Sequence, residues 1–426
     1  TRACQSSAVA GTGSAAPAPL GSRHAAENVP PVTSARRHLQ PPPPTSQNLP
    51  AHAVPYAAAL SEHPIPAHAT GEVVGELYDR LGPAPDLVTL FVTAPLAGAL
   101  EDIVRTVRTV LNPRVLVGAT AVSVLGGARE VEEVAAIALF GARWGVDVTP
   151  ARFEVHRGAA GELLVAGGAG ATGPGTLLLL ADPFTFPTED VLEGVAAGAP
   201  TLPVVGGMAS GGRGPGGNVL VLDDELFRHG AVGVHLPPDV PVRAVVSQGC
   251  RPFGQPFVVT RAEGNVIHEL AGRPALERLM EQIEALGPED RALAASGLHA
   301  GIVIDERKTD FRAGDFLIRG VVGADRQAGA VVIGAPVDLG TTVQFQVRDA
   351  ASADSELTAL VAGSAEGAAL VFTCNGRGSR LFGSPDHDAA TVSEAVRGGA
   401  VAGMFCAGEV GPVGDRNFLH GFTASV

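Results

Sequence analysis

The sequence predicts an α/β fold of mixed α+β type, in which two related domains each carry mixed β-sheets flanked by helices. Three observations lead to this fold class. Short apolar runs bounded by Gly, Asn and Pro are typical of buried strands, helical segments occur singly between them, and many strands follow one another in pairs. Paired strands favour mixed sheets over a strictly alternating, doubly wound sheet. A chain of 426 residues has room for two or three domains.

Composition excludes several classes of protein. The net charge of −14 argues against nucleic-acid or anionic membrane partners, because phosphate binding needs a basic surface. No apolar run approaches the roughly 18 to 20 residues that cross a bilayer. The scattered histidines lack metal-ligand spacing, and we expect no metal or cofactor. The four cysteines are far apart and form no CxxC pair, which favours reduced thiols and a cytoplasmic location: Cys4, Cys250, Cys374 and Cys406.

The first 60 residues have a different composition from the rest. They are rich in Ala, Pro and Ser, include a polyproline run at 41–44, and show no periodic apolar pattern. Such a segment buries too little apolar surface to offset its ordering entropy. We therefore predict a disordered tail over 1–60, a first domain over 67–250 and a second over 251–426.

The first domain begins with a helical pattern at 70–81, followed by a buried strand at 87–92. The helix at 96–111 places its apolar residues on one face, and a strand at 115–118 follows it. A further helix is predicted at 188–196. The remaining predicted strands are 134–140, 177–181, 204–205, 219–222, 231–236 and 242–246.

The second domain opens with a hairpin pattern, in which strands at 257–261 and 266–270 flank the turn Glu263-Gly264-Asn265. Helical patterns follow at 274–286 and 353–362. The predicted strands between these two helices are 302–304, 316–322, 331–333 and 342–347.

The stretch 368–411 is where we expect the functional site. An apolar strand ends in the turn Cys374-Asn375-Gly376-Arg377-Gly378, a helical segment covers 386–396, and a second apolar run ends at 407–412. Rigid strands that end in Gly-rich turns can display ligand-binding groups, so both turns could face one site.

A weak internal duplication supports two related halves. Residues 177–212 run strand, loop, acid-led helix, strand and Gly-rich turn, and residues 370–411 repeat that order. If the duplication is real, both halves contribute comparable turns to a shared cleft, and 207–210 is the first half's contribution.

Two Gly-rich segments match the GxGxxG pattern of dinucleotide-binding loops, at 168–173 and 212–217. That loop must lead into a helix N-terminus, whose amides hold the pyrophosphate. Both segments lead into predicted strands instead. We interpret them as Gly-rich loops between strands.

Cys374 suggests a thiol nucleophile, with His420 as base and Glu409 as the group that orients it. A thiol in a strand-end turn beside Arg377 could have a lowered pKa. Free cysteines are also commonly small buried hydrophobic residues. Thiol-dependent acyl or amide chemistry is therefore the alternative hypothesis.

Arg377 and Glu409 suit a different task. A guanidinium binds a carboxylate with two hydrogen bonds and a carboxylate binds an ammonium, which together describe a zwitterion such as an amino acid. The two side chains could equally pair with each other across the cleft.

The run Asp386-His387-Asp388 could supply metal ligands, but it opens a helical segment after Ser384-Pro385. Acidic residues in a first helical turn complement the helix dipole, and Ser384 can cap the helix. We therefore predict a helix start here.

The motifs in 371–378, 408–412 and 417–423 resemble the C-terminal FIST domain, and 178–183, 203–212 and 230–234 look like its N-terminal partner. The resemblance covers about residues 70–426. It implies a small-ligand-binding sensory protein of signal transduction. In bacteria such domains are often attached to kinase or chemotaxis-type outputs, and in eukaryotes to F-box modules. Amino acids are proposed ligands.

We therefore expect a sensor, not an enzyme, that binds an amino acid or small carboxylate and signals through a separate protein. Arg377 is expected to bind the ligand carboxylate and Glu409 a ligand donor, while the turn amides orient the ligand. The expected site residues are Gly207, Met208, Ser210, Cys374, Asn375, Gly376, Arg377, Gly378, Glu409 and His420.

Overall fold

The structure is a computed structural model that describes residues 55–158, 163–168, 171, 173–312, 314–364, 367–397 and 399–426. The predicted tail over 1–60 lies outside the described residues up to residue 54. Its last residues belong to the first strand, so the tail prediction extended too far.

The first half of the described chain alternates strands with single helices. Its elements are β1 (Tyr56–Ser61), α1 (Pro66–Leu81), β2 (Leu87–Thr93), a 3-10 helix (Ala94–Ala99), α2 (Leu100–Leu111), β3 (Val115–Ala121), β4 (Ser123–Gly126), β5 (Arg129–Glu132), β6 (Ile137–Ala142), β7 (Thr149–Arg157), β8 (Leu163–Gly167), β9 (Thr176–Ala181), α3 (Thr188–Gly198), β10 (Val204–Met208), β11 (Leu220–Leu222), β12 (Glu225–Phe227), β13 (Ala231–Leu236) and β14 (Val246–Ser247).

The second half contains a group of antiparallel strands and then returns to the alternating pattern. Its elements are β15 (Cys250–Pro252), β16 (Phe257–Glu263), β17 (Val266–Leu270), β18 (Arg273–Pro274), α4 (Ala275–Glu284), α5 (Pro288–Ser296), β19 (Leu298–Val303), β20 (Phe316–Asp325), β21 (Ala330–Ile333), β22 (Thr342–Arg348), α6 (Ala350–Val361), β23 (Ala368–Cys374), α7 (Ser379–Phe382), α8 (His387–Ala395), β24 (Ala400–Cys406), β25 (Glu409–Val413), β26 (Arg416–His420) and β27 (Ala424–Ser425).

These elements confirm the predicted mixed α+β fold. Four sheets form, with the strand orders β1-β6-β2-β3-β11-β12, β26-β25-β10-β9-β13-β7-β8, β14-β27-β23-β24-β4-β5 and β15-β22-β16-β17-β21-β20-β19. They are called the first to fourth sheets below. The fourth sheet closes on itself because β22 also pairs with β19.

Two sheets take strands from both halves of the chain. In the second sheet β10 pairs with β25, and in the third sheet β24 pairs with β4. The largest core cluster likewise joins the halves, with Phe91 and Phe372 packed edge to face at 6.1 Å. The ranges 67–250 and 251–426 therefore do not each contain a complete set of sheets.

A strand-helix-strand unit with parallel strands occurs three times, one more than the duplication predicted from the sequence. The units are β2-α2-β3, β9-α3-β10 and β23-α8-β24. In each unit the second strand carries a glycine whose Cβ would overlap the carbonyl oxygen of its register partner on the first strand. The glycine and partner pairs are Gly118 and Leu90, Gly206 and Leu179, and Gly403 and Val371.

Several predicted elements differ from the structure. The predicted strand 134–140 is β6, which begins at Ile137, and most of the predicted strand 242–246 is not part of a sheet. There Val245 exchanges backbone hydrogen bonds with Val426, but the residues before it pair with no strand in the described part of the chain. Helix α5 was not predicted, because its segment contains few apolar residues.

The second of the two GxGxxG segments is a loop that leads into a strand, as predicted. Residues 212–217 form turns that lead to β11. The segment 168–173 falls partly outside the described residues. No helix in the described ranges is both long and apolar enough to cross a bilayer.

The close contacts made by the three glycines predict a test of the repeat. Gly403→Ala should lower the free energy of unfolding by about 1–3 kcal/mol, because its Cβ would force β24 away from β23. Urea unfolding measures the change. Gly75→Ala is the control: Gly75 lies on α1 with no atom within 4 Å of an added Cβ, and this substitution should stabilise the helix by up to about 1 kcal/mol. Equal effects at the two positions would contradict the packing argument.

Candidate functional site

The turn that follows β23 lies where two neighbouring parallel strands, β23 and β24, end in the middle of the third sheet. Cys374 and Cys406 are register partners at the ends of β23 and β24. The Cys374 amide donates to the Thr423 carbonyl at 2.9 Å, and the Asn375 amide donates to the Cys406 carbonyl at 3.0 Å. These bonds hold the 374–378 turn between two strand ends.

Strand β10 of the first half of the chain lies beside β25, close to the end of β24. Gly207 is the register partner of Glu409, and the Met208 amide donates to the Gly408 carbonyl at 2.8 Å. A Cβ on Gly207 would overlap the Cys406 sulfur, so only glycine fits there. The structure thus brings the two predicted turns together.

The side chains of the first half's turn have structural partners. The Ser210 hydroxyl donates to the Phe405 carbonyl at 2.6 Å and accepts from the Val122 amide at 2.9 Å. Met208 is buried in the core cluster behind the second sheet. These two residues position β24 and β25.

Arg377, which we predicted to bind a ligand carboxylate, is paired with a carboxylate of the protein. Its Nε and Nη2 donate to the two oxygens of Asp388 at 2.7 and 2.8 Å, and both side chains are fully buried. The Thr373 hydroxyl also donates to Asp388, at 2.6 Å. The Nε and Nη2 atoms of Arg377 are therefore occupied by Asp388, and Arg377 does not pair with Glu409. From the sequence we had interpreted Asp388 only as an acidic residue in the first turn of a helix.

The pair remains charged despite its burial. Burial opposes the charge on each group, but the partner's charge and hydrogen bonds outweigh it. The pKa of Arg377 is therefore raised and the pKa of Asp388 is lowered. Gly249 leaves room for this arrangement, because a Cβ there would lie 2.7 Å from Nη1 of Arg377.

The start of α8 is capped from the other half of the chain. Ser384 does not cap it, and Asp386 has a positive φ of 75° and no capping side-chain bond. The Glu130 carboxylate instead accepts from the amides of Asp386, Asp388 and Ala389 at 2.9, 2.9 and 3.1 Å. Burial and the nearby Asp388 raise the pKa of Glu130 to about 7, although these amides act to lower it.

Both ring nitrogens of His387 lie beside carboxylates of the protein. Its Nδ1 lies 3.0 Å from Asp388 and its Nε2 lies 3.0 Å from Asp354. Within the described residues, no group of three His, Cys, Asp or Glu side chains is placed to hold a metal ion.

Glu409 is a fully buried carboxyl group with one unused oxygen. Its Oε2 accepts from the Thr423 amide and hydroxyl at 3.1 and 2.8 Å, while Oε1 makes no hydrogen bond of good geometry and the Cys374 thiol is its neighbouring side-chain donor. Burial outweighs these bonds and the nearby Arg377, and it raises the pKa of Glu409 to about 8. At neutral pH this carboxyl is largely protonated.

Cys374 lacks the surroundings of an activated thiol. Burial and the neighbouring Glu409 raise its pKa to about 12. His420 does not contact it, because the Nε2 of His420 bonds the Gly411 carbonyl at 3.0 Å and Nδ1 has no partner. Burial lowers the pKa of His420 to about 4. The three groups of the thiol hypothesis therefore do not form a catalytic triad.

Arg348 is a site residue that the sequence did not reveal. It ends β22, donates from Nη2 to the Gly376 carbonyl at 2.7 Å, and lies over the ring of Phe422 at 5.2 Å. Its Nε is buried without a partner. In the described part of the chain, no carboxylate lies within 4 Å of its nitrogens.

Unpartnered polar atoms are concentrated around this turn. Besides Glu409 Oε1 and Arg348 Nε, they include Asn375 Oδ1 and Arg377 Nη1. Buried polar atoms nearly always have partners, so such a group marks a place where another polar molecule can bind.

The comparisons with known proteins agree with this architecture. The family model of the FIST N domain matches residues 86–273, and that of the FIST C domain matches residues 275–412. The "Uncharacterized protein Mb0898c" of Mycobacterium bovis is 43% identical over 368 residues, which cover 84% of this chain and 94% of that protein. The "Uncharacterized protein MT0656" of Mycobacterium tuberculosis is 41% identical over 377 residues, covering 86% and 97%.

The buried ion pair predicts a strong asymmetry between single and double replacements. Arg377→Met should destabilise the protein by about 3–5 kcal/mol, because Asp388 is left charged and buried. Replacing both residues, as Arg377→Met with Asp388→Leu, should recover most of that loss. Urea unfolding measures both. The exposed pair of Arg380 and Glu133 is the control, and Arg380→Ala should cost at most about 1 kcal/mol. A double variant as unstable as the single one would contradict this account.

The raised pKa of Glu409 predicts a stability that depends on pH. The folded protein holds this proton more tightly than the unfolded chain, so the stabilisation is complete below about pH 4.5 and is lost as pH rises toward 8. The difference in unfolding free energy between wild type and Glu409→Gln should fall by up to about 1.4 kcal/mol per pH unit in this window. A difference that stays constant from pH 5 to 8 would show that Glu409 ionises normally.

Proposed function

Because this chain belongs to the FIST family, whose domains are generally sensory domains of signal transduction, we propose that it senses a small zwitterionic metabolite. The ligand class is an amino acid or a close analogue. Its site is the 374–378 turn together with Glu409 and Arg348. We expect the output to be a separate signalling protein in the cytoplasm.

The observation that carries the proposal is the set of unpartnered polar atoms of both kinds at one turn. Arg348 Nε and Arg377 Nη1 are donors, Asn375 Oδ1 can accept, and Glu409 Oε1 can accept once its carboxyl group is ionised. A ligand that carries both a carboxylate and an ammonium group would satisfy both kinds at once. A plain carboxylate or a plain amine would satisfy only one kind.

Arg348 replaces Arg377 as the group proposed to bind the ligand carboxylate. Arg377 uses two of its nitrogens for Asp388 and offers only Nη1. Arg348 has no carboxylate partner among the described residues and is partly exposed, so a ligand can reach it. Its stacking on Phe422 holds the guanidinium plane in place for a bidentate contact.

Glu409 is the proposed partner of the ligand ammonium group. Arg348 donates to the Gly376 carbonyl, and Glu409 accepts from Thr423, whose carbonyl accepts from the Cys374 amide, so both side chains adjoin the same turn. A bound ammonium would stabilise the ionised form of Glu409 and lower its pKa. Binding near pH 7 would therefore release a proton.

The remaining predicted residues support this site and do not contact the ligand directly in our proposal. Gly207, Met208 and Ser210 hold the strands that carry Glu409, and His420 bonds the carbonyl of Gly411. Cys374 forms the floor of the site, with its sulfur accepting from the Gly376 amide at 3.5 Å. Gly378 has a positive φ of 58° and lies against Phe405, so it shapes the turn.

Thermal unfolding against a panel of amino acids and small carboxylates tests the proposal. A ligand at about 100 times its Kd adds about 2.7 kcal/mol, which should raise Tm by about 3–4 °C in a chain of this size. Arg348→Gln and Glu409→Gln should abolish the shift. Arg312→Gln, at an exposed position away from the turn, should leave it intact. Calorimetry near pH 7 should also show proton release on binding to the wild type.

Two results would contradict the proposal. One is a panel in which no zwitterion raises Tm. The other is a shift that survives in both Arg348→Gln and Glu409→Gln, which would place the ligand elsewhere. A shift lost only in Cys374→Ala would return attention to thiol chemistry.

A further inference from the structure

Two more unpartnered polar atoms lie on the fourth sheet, next to the strand that carries Arg348 or on it. His299 of β19 and Gln346 of β22 are register partners, and these side chains are 4% and 1% exposed. In the described part of the chain, His299 Nδ1 and Gln346 Nε2 make no hydrogen bond of good geometry, and the Gly297 carbonyl is the neighbouring acceptor for the His299 ring. Buried polar atoms nearly always have partners, so this pair also marks a place where another polar group can bind.

Arg348 joins this pair to the polar turn. Alternate residues of a strand share a face, so Gln346 and Arg348 point to one side of β22, while Phe345 and Val347 point into the core on the other side. Residues two apart in a strand are about 7 Å from each other. Arg348 in turn donates to the carbonyl of residue 376 at 2.7 Å. His299 and Gln346 are therefore neighbours of Arg348 on the face that meets the polar turn.

Phe422 contacts both sets of polar residues. Its ring centroid lies 4.3 Å from that of His299 and 5.2 Å from the guanidinium carbon of Arg348. Its φ of 67° is in the left-handed region, which is costly for a residue with a bulky side chain. Backbone strain of this kind persists where the surroundings impose it, and it is concentrated at ligand sites. The next residue, Thr423, bonds Glu409, so the segment that holds Glu409 also places this ring.

We propose that the zwitterion bound at the turn is an amino acid whose side chain ends in a carboxamide, as in glutamine, and that His299 and Gln346 bind this carboxamide. The inference rests on the proposed function, since Arg348 and Glu409 must hold the α-carboxylate and the ammonium group for the side chain to point along β22. The carboxamide oxygen accepts from Gln346 Nε2, and the methylene groups of the ligand pack against Phe422.

A carboxamide suits this pair better than other neutral polar groups do. Gln346 Nε2 can only donate, whereas an imidazole nitrogen donates or accepts according to which nitrogen carries the proton. A carboxamide has a carbonyl oxygen and an amino group, so it can pair with Gln346 and with either form of His299. A hydroxyl group has a single polar atom, and two protein atoms need partners.

Charged side chains fit this pair less well. Burial and the nearby charge of Arg348 lower the pKa of His299 to about 4, so its ring is neutral at pH 7. A side-chain carboxylate of the ligand would be buried beside two neutral groups, which is unfavourable for a charge. Glutamine also fits better than asparagine, because its longer side chain covers more of the distance of about 7 Å between Arg348 and Gln346.

Calorimetric titrations of the full chain with four amino acids test the proposal. L-glutamine should bind at least 10-fold more tightly than L-glutamate, than L-alanine and than L-homoleucine, which is an apolar analogue of similar shape. If the amino acids bind but glutamine lacks this preference, the zwitterion site stands and the carboxamide proposal is wrong. If no zwitterion binds at all, the proposed function and the carboxamide proposal are both wrong.

Two variants test the residues, each by removing one of the unpartnered atoms. In Gln346→Met and in His299→Phe, the preference for glutamine over homoleucine should fall at least 10-fold. Gln344→Met is the matched control, because Gln344 lies on the same face of β22 but its Nε2 already donates to the Gly254 carbonyl at 2.9 Å. It should keep the preference. A preference that survives in both test variants, or that the control loses equally, would overturn the proposal.

Thermal unfolding without ligand shows that a lost preference does not come from a damaged fold. Gln346→Met removes a buried polar group that has no partner in the free protein, so this variant should be at least as stable as the wild type. A Tm of the free Gln346→Met variant well below that of the wild type would show that the amide already has a structural partner, and this would contradict the proposal.

Discussion

The buried pair of Arg377 and Asp388 is the constraint on which the site depends. A guanidinium cannot be left uncompensated in the interior, so Asp388 must sit against the turn that follows β23. Asp388 belongs to the first turn of α8, and Glu130 of the first half accepts from the amides of that turn. The charge of one arginine thus determines where a helix begins and which hairpin contacts it.

The sharing of strands extends this constraint to the whole molecule. Because β10 pairs with β25 and β24 pairs with β4, the polar turn is assembled from both halves. Within each of the three strand-helix-strand units, a glycine on the second strand lets that strand lie close to the first. The 374–378 turn is held in place because it directly follows β23 and its backbone bonds the Cys406 carbonyl at the end of β24.

Much of the fold could be predicted from the sequence, because buried strands and amphipathic helices carry local patterns. The turns at 207–210 and 407–411 were also predicted to meet, since their Gly-rich ends repeat. The partner of Arg377 could not be predicted, because Asp388 resembles an ordinary residue of a helix start. Glu130 and Arg348 carry no local signal: each is a single charged residue in or at the end of a strand, and its role depends on residues distant in sequence.

The exchange of strands between the halves has a consequence for synthesis. The edges of β4 and β10 leave the ribosome about 200 residues or more before β24 and β25, which cover them. At about 5–20 residues per second, those edges wait on the order of 10–40 s for their partners. A nascent chain with such open edges is prone to mispair with other chains. Its yield in a cell should therefore depend on chaperones that shield the emerging N-terminal half.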